Sequence, residues 1–472
     1  MLARVLGGLI VALVAGAPFQ AAADKVDEYV RQQMKARGMP GLSLAVVRHG
    51  QVVKAQGYGV ASLELAAPAT ADTVYEIGSI SKQFTAEAVM LLVEEGKIDL
   101  EAPLARYVSD LPPAWQGITV RHVLTHTSGL KDWETDVGFS YHVDYAPRDF
   151  IALIARYPLD FAPGQRWAYT NSGFPLLGLA IERASGRPYT EFVTDRIFKP
   201  LGMTATRFKH NGDIVLNRAD GYMPDGGRLR RGEAARPEII APNGGILTTV
   251  LDMARWDAAF FGGRLVRPES MAKMREPVRV AGGQAFTHGF AVFMDTFNGH
   301  RMAFHPGTTV AGYSAVFYHF PDDELAVILM TNLNDGAFGA DALAHRIADF
   351  SVPGVWLNSL TPQPDNDPKA TETIVALLRD LAEGRDVSGL APNLRASGIS
   401  DTRRKTVASH VKEQTAFTFV GEERRTADHW ILAPGVARIR RYRMTAGAKT
   451  VYYTFQLTGE GQVAQFSVVE NP

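Results

Sequence analysis

The sequence has 472 residues, a formal net charge of −1 and no cysteine. Its 46% hydrophobic and 21% charged residues are typical of a globular protein with a large core, and the composition does not indicate disorder. The balanced charge gives no electrostatic reason to expect nucleic acid as a partner. The lack of cysteine excludes disulfides, thiol nucleophiles and cysteine-based metal sites.

Residues 1–23 have the pattern of a signal peptide. Arg4 gives a positive start, residues 5–17 are almost wholly apolar, and residues 21–23 are the small alanines that a signal peptidase needs. The apolar run is short for a membrane span, so no stable membrane insertion is expected, although a retained anchor is the alternative interpretation. We therefore predict cleavage before Asp24 and a mature protein that is periplasmic or secreted.

The following residues predict strands at both ends of a long region and helices in its middle. A helix, a hairpin, a strand and a second helix are expected at 26–37, 41–61, 74–78 and 79–95. Helices are expected next at 148–157, 173–185, 189–196 and 249–261. Strands are then expected at 289–295, 301–304, 312–320 and 324–331, before a helix at about 336–350.

This order of elements predicts the fold class. The strands of both ends most simply form one antiparallel sheet flanked by helices, and the middle forms a helical subdomain. The predicted fold class of residues 24–358 is α/β, of the α+β type in which an antiparallel sheet is flanked by helices. The groove between sheet and subdomain is the expected ligand site, for a small molecule or a peptide.

A second, smaller domain is predicted after a linker. Residues 359–368 are rich in proline and polar residues, as linkers are. A helix at 371–384 and strands near 416–422, 429–434, 436–445 and 450–469 then indicate an α+β accessory domain over 369–472. The basic run from Arg438 to Arg443 is interpreted as a solvated edge strand defended by charge, with a docking face as the alternative.

Ser79 and Lys82 form the first candidate for chemistry. A helix brings residues i and i+3 onto one face, so that this serine and this lysine can touch. A serine hydroxyl needs a neighbour that takes its proton, and a desolvated lysine can do so. The same spacing recurs at 128–131, 270–273 and 409–412, but only Ser79 follows a strand-and-glycine turn and opens a long apolar-faced helix.

Tyr169 and Asn171 form the second candidate, in the only Tyr-x-Asn of the chain. A tyrosine hydroxyl close to a lysine ammonium can act as a base or relay. An asparagine can donate to a substrate carbonyl and accept from a lysine. A tyrosine packed in the core beside an asparagine helix cap is the structural alternative for an isolated tripeptide.

The third candidate is His305-Pro306-Gly307-Thr308, expected near the start of a late strand. A glycine beside a nucleophile lets the substrate lie against the backbone. The backbone N–H of Thr308 can then pair with that of Ser79 as an oxyanion hole. In the predicted architecture all three candidates can face one groove.

Six segments together resemble a known family, the serine hydrolases related to class C β-lactamases and D-alanyl-D-alanine carboxypeptidases. That family includes many esterases and D-amino-acid peptidases, and the resemblance covers roughly residues 25–350. The segments are residues 76–85, 122–130, 161–173, 201–204, 243–249 and 305–313.

The resemblance implies roles for the candidate residues and a β-lactamase/transpeptidase-like fold. Ser79 would form an acyl-enzyme, and Lys82 and Tyr169 would move its protons, with the primary base left open. Asn171 would hold Lys82 and the substrate amide. His305 stands where the family has lysine, histidine or tryptophan. The resemblance implies no metal and no organic cofactor.

Two departures bear on the substrate. The third motif is His-Pro-Gly, where the β-lactamases proper have Lys-Thr-Gly, and a histidine is mostly neutral at pH 7. This weakens the case for a β-lactamase and leaves esterase or peptidase activity. The accessory domain is absent from many relatives. His122 and His126 have a spacing that can bind metal on a helix, but the resemblance makes them structural.

We therefore expect an exported serine hydrolase that cleaves an ester or amide through an acyl-serine intermediate, of the esterase, D-amino-acid peptidase or carboxypeptidase type. The alternative is a penicillin-binding or sensor protein that acylates without efficient turnover. The sequence predicts neither the acyl group nor the oligomeric state.

Overall fold

The computed structural model describes residues 17–135, 138–210, 212–233, 238–334, 336, 339–425 and 435–471. The N-terminal part of the predicted signal peptide, residues 1–16, therefore lies outside the described residues. Helix α1 runs from Ala17 to Arg37, nine residues longer at its start than the helix expected from residue 26. Cleavage before Asp24 stays a prediction.

The predicted hairpin and the helix after it are present. The elements of this part are β1 (Gly41–Arg48), β2 (Gln51–Ser62), β3 (Ala67–Pro68), β4 (Tyr75–Glu76) and α2 (Ser81–Glu94). The helix does not start at Ser79 as expected, because Gly78–Ile80 first form a 3-10 turn. Ser79 thus lies in a tight turn directly before α2.

The middle of the chain is mostly helical, as predicted. Its helices are α3 (Val120–Leu124), α4 (Pro147–Ile154), α5 (Gly173–Ser185), α6 (Tyr189–Val193), α7 (Ala241–Gly244), α8 (Val250–Phe260) and α9 (Pro268–Met274). Helix α6 continues as a π-helical turn over Thr194–Phe198. Short strands lie between them: β5 (Arg207–Phe208), β6 (Tyr222–Asp225), β7 (Arg228–Arg231), β8 (Ile246–Thr248), β9 (Val278–Arg279) and β10 (Ala285–Phe286).

The predicted sheet forms from both ends of this region. Its later elements are β11 (Phe293–Phe297), β12 (His300–Thr309), β13 (Tyr313–Phe320), β14 (Leu325–Thr331) and α10 (Gly339–Ser351). The sheet has seven strands in the order β11-β12-β13-β14-β1-β2-β3, and β1 pairs antiparallel with β14. The first predicted strand of this group starts at residue 293 rather than 289. His305 to Thr308 lie in the second half of β12, not at the start of a strand.

The sheet has a separate core on each face. Alternation along β1 places Leu42 and Leu44 in the core that includes α1 and α10. Ala45 and Val47 lie in the larger core shared with the helical subdomain. This period of two is the reason why a single sheet can carry terminal helices on one face and the subdomain on the other.

The C-terminal residues form a separate small sheet domain. It contains α11 (Pro368–Ala382), α12 (Pro392–Ser397), α13 (Asp401–Lys412), β15 (Gln414–Arg424), β16 (Val436–Ala446), β17 (Lys449–Thr458) and β18 (Val463–Asn471). The four strands lie in sequence order and have their own hydrophobic core. The strand expected at 429–434 lies outside the described residues. Helices α12 and α13 were not predicted, and the strand expected at 450–469 is the pair β17 and β18.

The basic run on β16 is not an edge strand, so that interpretation is wrong. Strand β16 pairs with β15 on one side and with β17 on the other. Arg440 is fully buried, and its guanidinium donates to Glu422 at 2.6 Å and to Asn366 at 3.0 Å. It also pairs with Asp365. Arg440 is therefore neutralised inside the domain by acidic partners that are distant in sequence.

Residues of the predicted linker contact the small domain. Asp365 and Asn366 bind Arg440, and the backbone N–H of Gln363 donates to the carbonyl of Phe419 at 3.1 Å. Arg425 pairs with Asp295 of β11, which joins the domain to the large sheet. The domain boundaries at 358 and 369 stay predictions.

No helix within the described part of the chain is long and apolar enough to cross a membrane.

Candidate active site

Ser79 lies at the tip of the turn between β4 and α2. Gly78 precedes it with φ +50°, in the left-handed region that favours glycine. A side chain at Gly78 would bring its Cβ to 2.5 Å from the carbonyl oxygen of Thr308 and 2.9 Å from the Thr308 nitrogen. The turn therefore packs backbone to backbone against β12, which only glycine permits.

Lys82 contacts Ser79 as the helix spacing predicted. Its Nζ donates to Oγ of Ser79 at 3.0 Å, to Oδ1 of Asn171 at 3.0 Å and to the carbonyl of Asn243 at 3.3 Å. The side chain is fully buried. Burial lowers the pKa of Lys82 to about 7, against the opposing charges of Glu134 and Asp132. A large fraction of Lys82 is thus neutral at pH 7.

Tyr169 reaches Ser79 from the segment before α5. Its hydroxyl is near enough to Ser79 for that side chain to influence its pKa, and its ring centroid lies 5.1 Å from Nζ of Lys82. Burial of the hydroxyl raises the pKa of Tyr169 well above its usual value, although the nearby Ser79 side chain opposes this. Tyr169 is therefore a neutral phenol at pH 7, able to donate a proton.

Asn171 is held in place by a residue that the sequence analysis missed. Its backbone N–H donates to Asp132 at 2.9 Å, and its Nδ2 lies 3.3 and 3.4 Å from the same carboxylate. Its Oδ1 is thereby directed to Lys82. The side-chain amide is bound to Asp132, so the expected donation to a substrate amide would compete with this contact. The expected contact with Lys82 is present, and the expected contact with a substrate amide stays a prediction.

The second half of β12 presents a free backbone edge at the site. Strand β11 pairs with β12 only over residues 300–304, so no strand in the described part of the chain pairs with residues 305–309 on that side. Pro306, which lacks an N–H, is tolerated there for this reason. A Cβ at Gly307 would clash with the carbonyl of Ile77 and lie 3.1 Å from the Ser79 nitrogen. The absent side chain lets Thr308 and Ser79 come together.

His305 is buried and neutral. Its Nδ1 donates to the carbonyl of Pro306 at 2.6 Å. Burial, aided by the charge of Lys82, lowers the pKa of His305 to about 3. The ring therefore supplies no positive charge to the site at physiological pH.

Six of the seven predicted site residues line one groove. The seventh, Lys82, is fully buried and contacts Ser79. The groove has a volume of about 1180 Å³ counted to its open mouth, and it lies between the sheet and the helical subdomain as expected. Its lining includes Ser79, Tyr169, Asn171, His305, Gly307 and Thr308. The sequence thus predicted the residues that the fold brings together.

The charged groups that line the groove are mostly acidic. Glu134, Glu238 and Glu76 line it, and Lys209 is the basic residue among the lining side chains. Lys209 forms an ion pair with Glu76, with its Nζ 3.7 Å from a carboxylate oxygen. Glu134 accepts from the Tyr141 hydroxyl at 2.7 Å, and it pairs with no lysine or arginine within the described residues. The described part of the chain contains no group of three or more His, Asp or Glu side chains placed to hold a metal ion.

Comparison with known proteins agrees with this geometry. The family model described as Beta-lactamase matches residues 26–351. The chain belongs to the beta-lactamase family. The match covers the seven-stranded sheet and the helical subdomain and ends at α10, before the C-terminal sheet domain. The resemblance to this family drawn from the sequence is confirmed.

Two relatives show how far the similarity extends along this beta-lactamase family chain. It is 28% identical to Penicillin-binding protein 4* of Bacillus subtilis over 306 residues, which are 60% of this chain and 66% of that protein. It is 25% identical to Protein flp of Staphylococcus aureus (strain MRSA252), over 66% of this chain and 63% of that one. The chain thus spans just under two thirds of the length of these relatives.

Solved structures confirm the fold. D-amino acid amidase from Ochrobactrum anthropi SV3, complexed with L-phenylalanine amide, aligns with TM-score 0.61 and 26% identity over 71% of this chain and 99% of that one. The octameric penicillin-binding protein homologue from Pyrococcus abyssi aligns over 95% of this chain and 90% of that one, with TM-score 0.60 and 24% identity. The β-lactamase/transpeptidase-like fold is therefore established.

Proposed function

We propose that this protein hydrolyses an ester or amide through an acyl-serine intermediate on Ser79. The observation that carries the proposal is the contact of Ser79 with a fully buried lysine whose pKa lies at about 7. In the proposed reaction Oγ of Ser79 attacks the carbonyl carbon and its proton passes to neutral Lys82. Tyr169, as a phenol, donates a proton to the leaving group and is reprotonated from Lys82. Water then releases the acid product.

The proposed oxyanion hole consists of two backbone N–H groups. The close approach of Gly307 to the Ser79 nitrogen supports a site between Ser79 and Thr308 where the carbonyl oxygen of the substrate would lie. Donors fixed by backbone packing need no reorganisation when negative charge develops on that oxygen. The free edge of β12 would also hold the substrate backbone.

The charges of the groove favour an acyl donor that carries an amine over one that carries a carboxylate. Among the described side chains that line the groove, neutral His305 and the paired Lys209 leave no free cation for a carboxylate. Glu134 offers a carboxylate that can receive an ammonium group. The similarity to a D-amino acid amidase supports the same class. We therefore favour amides or esters of amino acids over carboxypeptidase or β-lactam substrates.

The first test of this proposal is turnover of a p-nitrophenyl ester by Ser79→Ala. We expect loss of all measurable turnover with the fold retained, because no other group can form the acyl-enzyme. Ser81→Ala is the matched control, since its Oγ accepts from the N–H of Ile246 at 3.3 Å. Full turnover by Ser79→Ala would refute the acyl-serine route.

The second test addresses the amine. D-phenylalanine p-nitroanilide should be cleaved faster than its N-acetyl derivative, and Glu134→Gln should reduce that preference by about tenfold or more. Glu238→Gln removes the same charge from a side chain that is 71% exposed and should reduce the preference less. A preference unchanged by Glu134→Gln would remove the amine from the proposal and leave the acyl-serine route intact.

We also propose that the protein is exported, on the pattern of residues 1–23 alone. N-terminal sequencing of the protein from its native host would test this. Asp24 as the first residue is the expected result, and an intact Met1 would contradict it.

A further inference from the structure

Tyr169 lies on a segment that makes few backbone hydrogen bonds of its own. Residues 165–170 are neither helix nor strand. The N–H groups on both sides of the tyrosine therefore need partners elsewhere. Both find them on one residue, His126. Ala168 donates to its carbonyl oxygen at 2.9 Å, and Thr170 donates to its ring Nδ1 at 3.2 Å.

The ring of His126 also packs against the tyrosine itself. The two ring centroids are 4.4 Å apart with an interplanar angle of 31°. Phe174 lies on the same ring at 5.5 Å. His126 is fully buried, so its contacts with the tyrosine segment are shielded from water. One side chain thus contacts the ring and one neighbour of the proton donor.

The backbone of His126 is adapted to this double contact. Its φ is +57°, a left-handed conformation that a residue with a Cβ adopts at a cost of about 1 kcal/mol or more. In this conformation its carbonyl and its ring bond to the same segment, two residues apart. The two hydrogen bonds to the Tyr169 segment offset the free energy of this backbone strain.

The bond from Thr170 also selects a protonation state. An Nδ1 that accepts carries no proton, so the ring is neutral with its hydrogen on Nε2. Burial, with the neighbouring titratable groups His288, Lys82 and His305 as smaller causes, lowers the pKa of His126 well below its usual value. The Nε2 atom has no hydrogen-bond partner among the described residues. The hydrogen bond that Nδ1 accepts from Thr170 is therefore the polar contact through which the His126 ring holds the tyrosine segment.

We propose that His126 is a positioning residue that fixes the Tyr169 hydroxyl at Ser79 through the two flanking hydrogen bonds and the ring contact. This rests on the proposed function, because the effect of His126 appears only through the proton transfer assigned to Tyr169. The sequence analysis took His126 as purely structural. The contacts described above indicate that His126 orients the proton donor Tyr169.

A matched set of variants tests this inference on p-nitrophenyl ester turnover. His126→Phe keeps a ring and removes the acceptor, whereas His126→Asn keeps an acceptor at the δ position and tolerates the left-handed backbone. His122→Phe is the control, because His122 Nδ1 also accepts one backbone N–H at 3.2 Å, from Thr119, but caps α3 instead. Melting temperatures are recorded for all three.

We expect His126→Phe to lower kcat by about 100-fold with KM nearly unchanged, since a small misplacement of a catalytic group has an effect of this size. His126→Asn should recover about tenfold of that loss. His122→Phe should lower the melting temperature without a comparable fall in kcat. Equal losses of kcat in His122→Phe and His126→Phe would overturn the inference.

A double-mutant cycle with Tyr169→Phe decides whether the effect acts through the tyrosine. Adding His126→Phe to Tyr169→Phe should slow the enzyme no further, because the group being positioned is already absent. Independent, additive losses would overturn the inference. If His126→Phe does not fold, His126→Asn replaces it in the cycle with the same two outcomes. Turnover that survives in Ser79→Ala would instead refute the proposed function, a separate result.

Discussion

Lys82 donates a 3.0 Å hydrogen bond to Ser79 from a position with no exposure to solvent. Burial holds the pKa of Lys82 at about 7, so the lysine loses its proton within the physiological range. The same side chain also binds Asn171 and the carbonyl of Asn243. These contacts hold the amine in place in both of its protonation states.

The first prediction is the pH dependence of kcat/KM. Because neutral Lys82 accepts the proton of Ser79, kcat/KM should rise with pH through about 7 and level off above it. Lys82→Arg keeps the positive charge but cannot lose its proton, so it should lower kcat by about 100-fold or more. The profile is measured with a p-nitrophenyl ester between pH 5 and 9. A Lys82→Arg variant with nearly full activity would contradict the role of the lysine as base.

The second prediction concerns the close approach of β12 to the nucleophile turn. A methyl group at residue 307 would clash with the carbonyl of Ile77 and push Thr308 away from Ser79. Gly307→Ala should therefore lower kcat by about 100-fold, the effect of removing one oxyanion donor. Gly282→Ala is the matched control, because nothing lies within 4 Å of its added Cβ. Comparable activity of the two variants would argue against an oxyanion hole at Thr308.

The third prediction concerns a buried carboxyl group away from the site. Glu87 on α2 is fully buried, and neither of its oxygens has a hydrogen-bond partner among the described residues. Burial raises its pKa from 4.5 to about 8, so the folded protein keeps a proton that the unfolded chain releases. The stability contributed by this proton is full below pH 4.5 and is lost as the pH rises through about 8.

Glu87→Gln should therefore gain stability relative to the parent protein as the pH rises from 5 to 9, by roughly 4 kcal/mol at the upper end, because about three pH units of the pKa shift fall in this range. Chemical denaturation at the two pH values measures this difference. Glu28→Gln, at an exposed position of α1, should show no such trend. A constant difference between Glu87→Gln and the parent protein would mean that Glu87 is ionised throughout.

The fourth prediction concerns the small C-terminal domain. Arg440→Leu removes the nearest guanidinium partner of Glu422, which is 5% exposed, and leaves Arg438 at 3.6 Å and Arg424 at 3.7 Å from its carboxylate. Breaking a buried ion pair so that one charge is left uncompensated costs about 3–5 kcal/mol, and the two remaining arginines make the expected loss smaller than this. We expect a lower melting temperature for the domain with kcat retained, as seen by calorimetry and ester turnover in parallel. Unchanged thermal unfolding would show that the arginine network carries little of the stability.

The sequence was sufficient to predict the parts of the site that local rules govern. The i, i+3 spacing of Ser79 and Lys82 brings their side chains together across the 3-10 turn and the first residues of α2. The terminal strands had few ways to pair other than in one antiparallel sheet. The contact of Tyr169 with Ser79 was an expectation from family resemblance, and the structure brings the two residues together.

Other features depend on contacts that no local pattern encodes. Asp132 reaches Asn171 across 39 residues, and the carbonyl of Asn243 reaches Lys82 across 161 residues. The run at 438–443 looked like an exposed edge because its acidic partners, such as Asp365, lie far away in sequence. Helix α13 was missed because it buries little more than Val407 and His410, which leaves almost no apolar period to detect.

The most direct measurement for the central claim is the intact mass of the protein, quenched in acid during turnover of a p-nitrophenyl ester, followed by fragmentation. The acyl-serine account predicts one added acyl group in the wild type, located on Ser79 and absent from Ser79→Ala. An acyl group on any other residue, or the same adduct in Ser79→Ala, would contradict it.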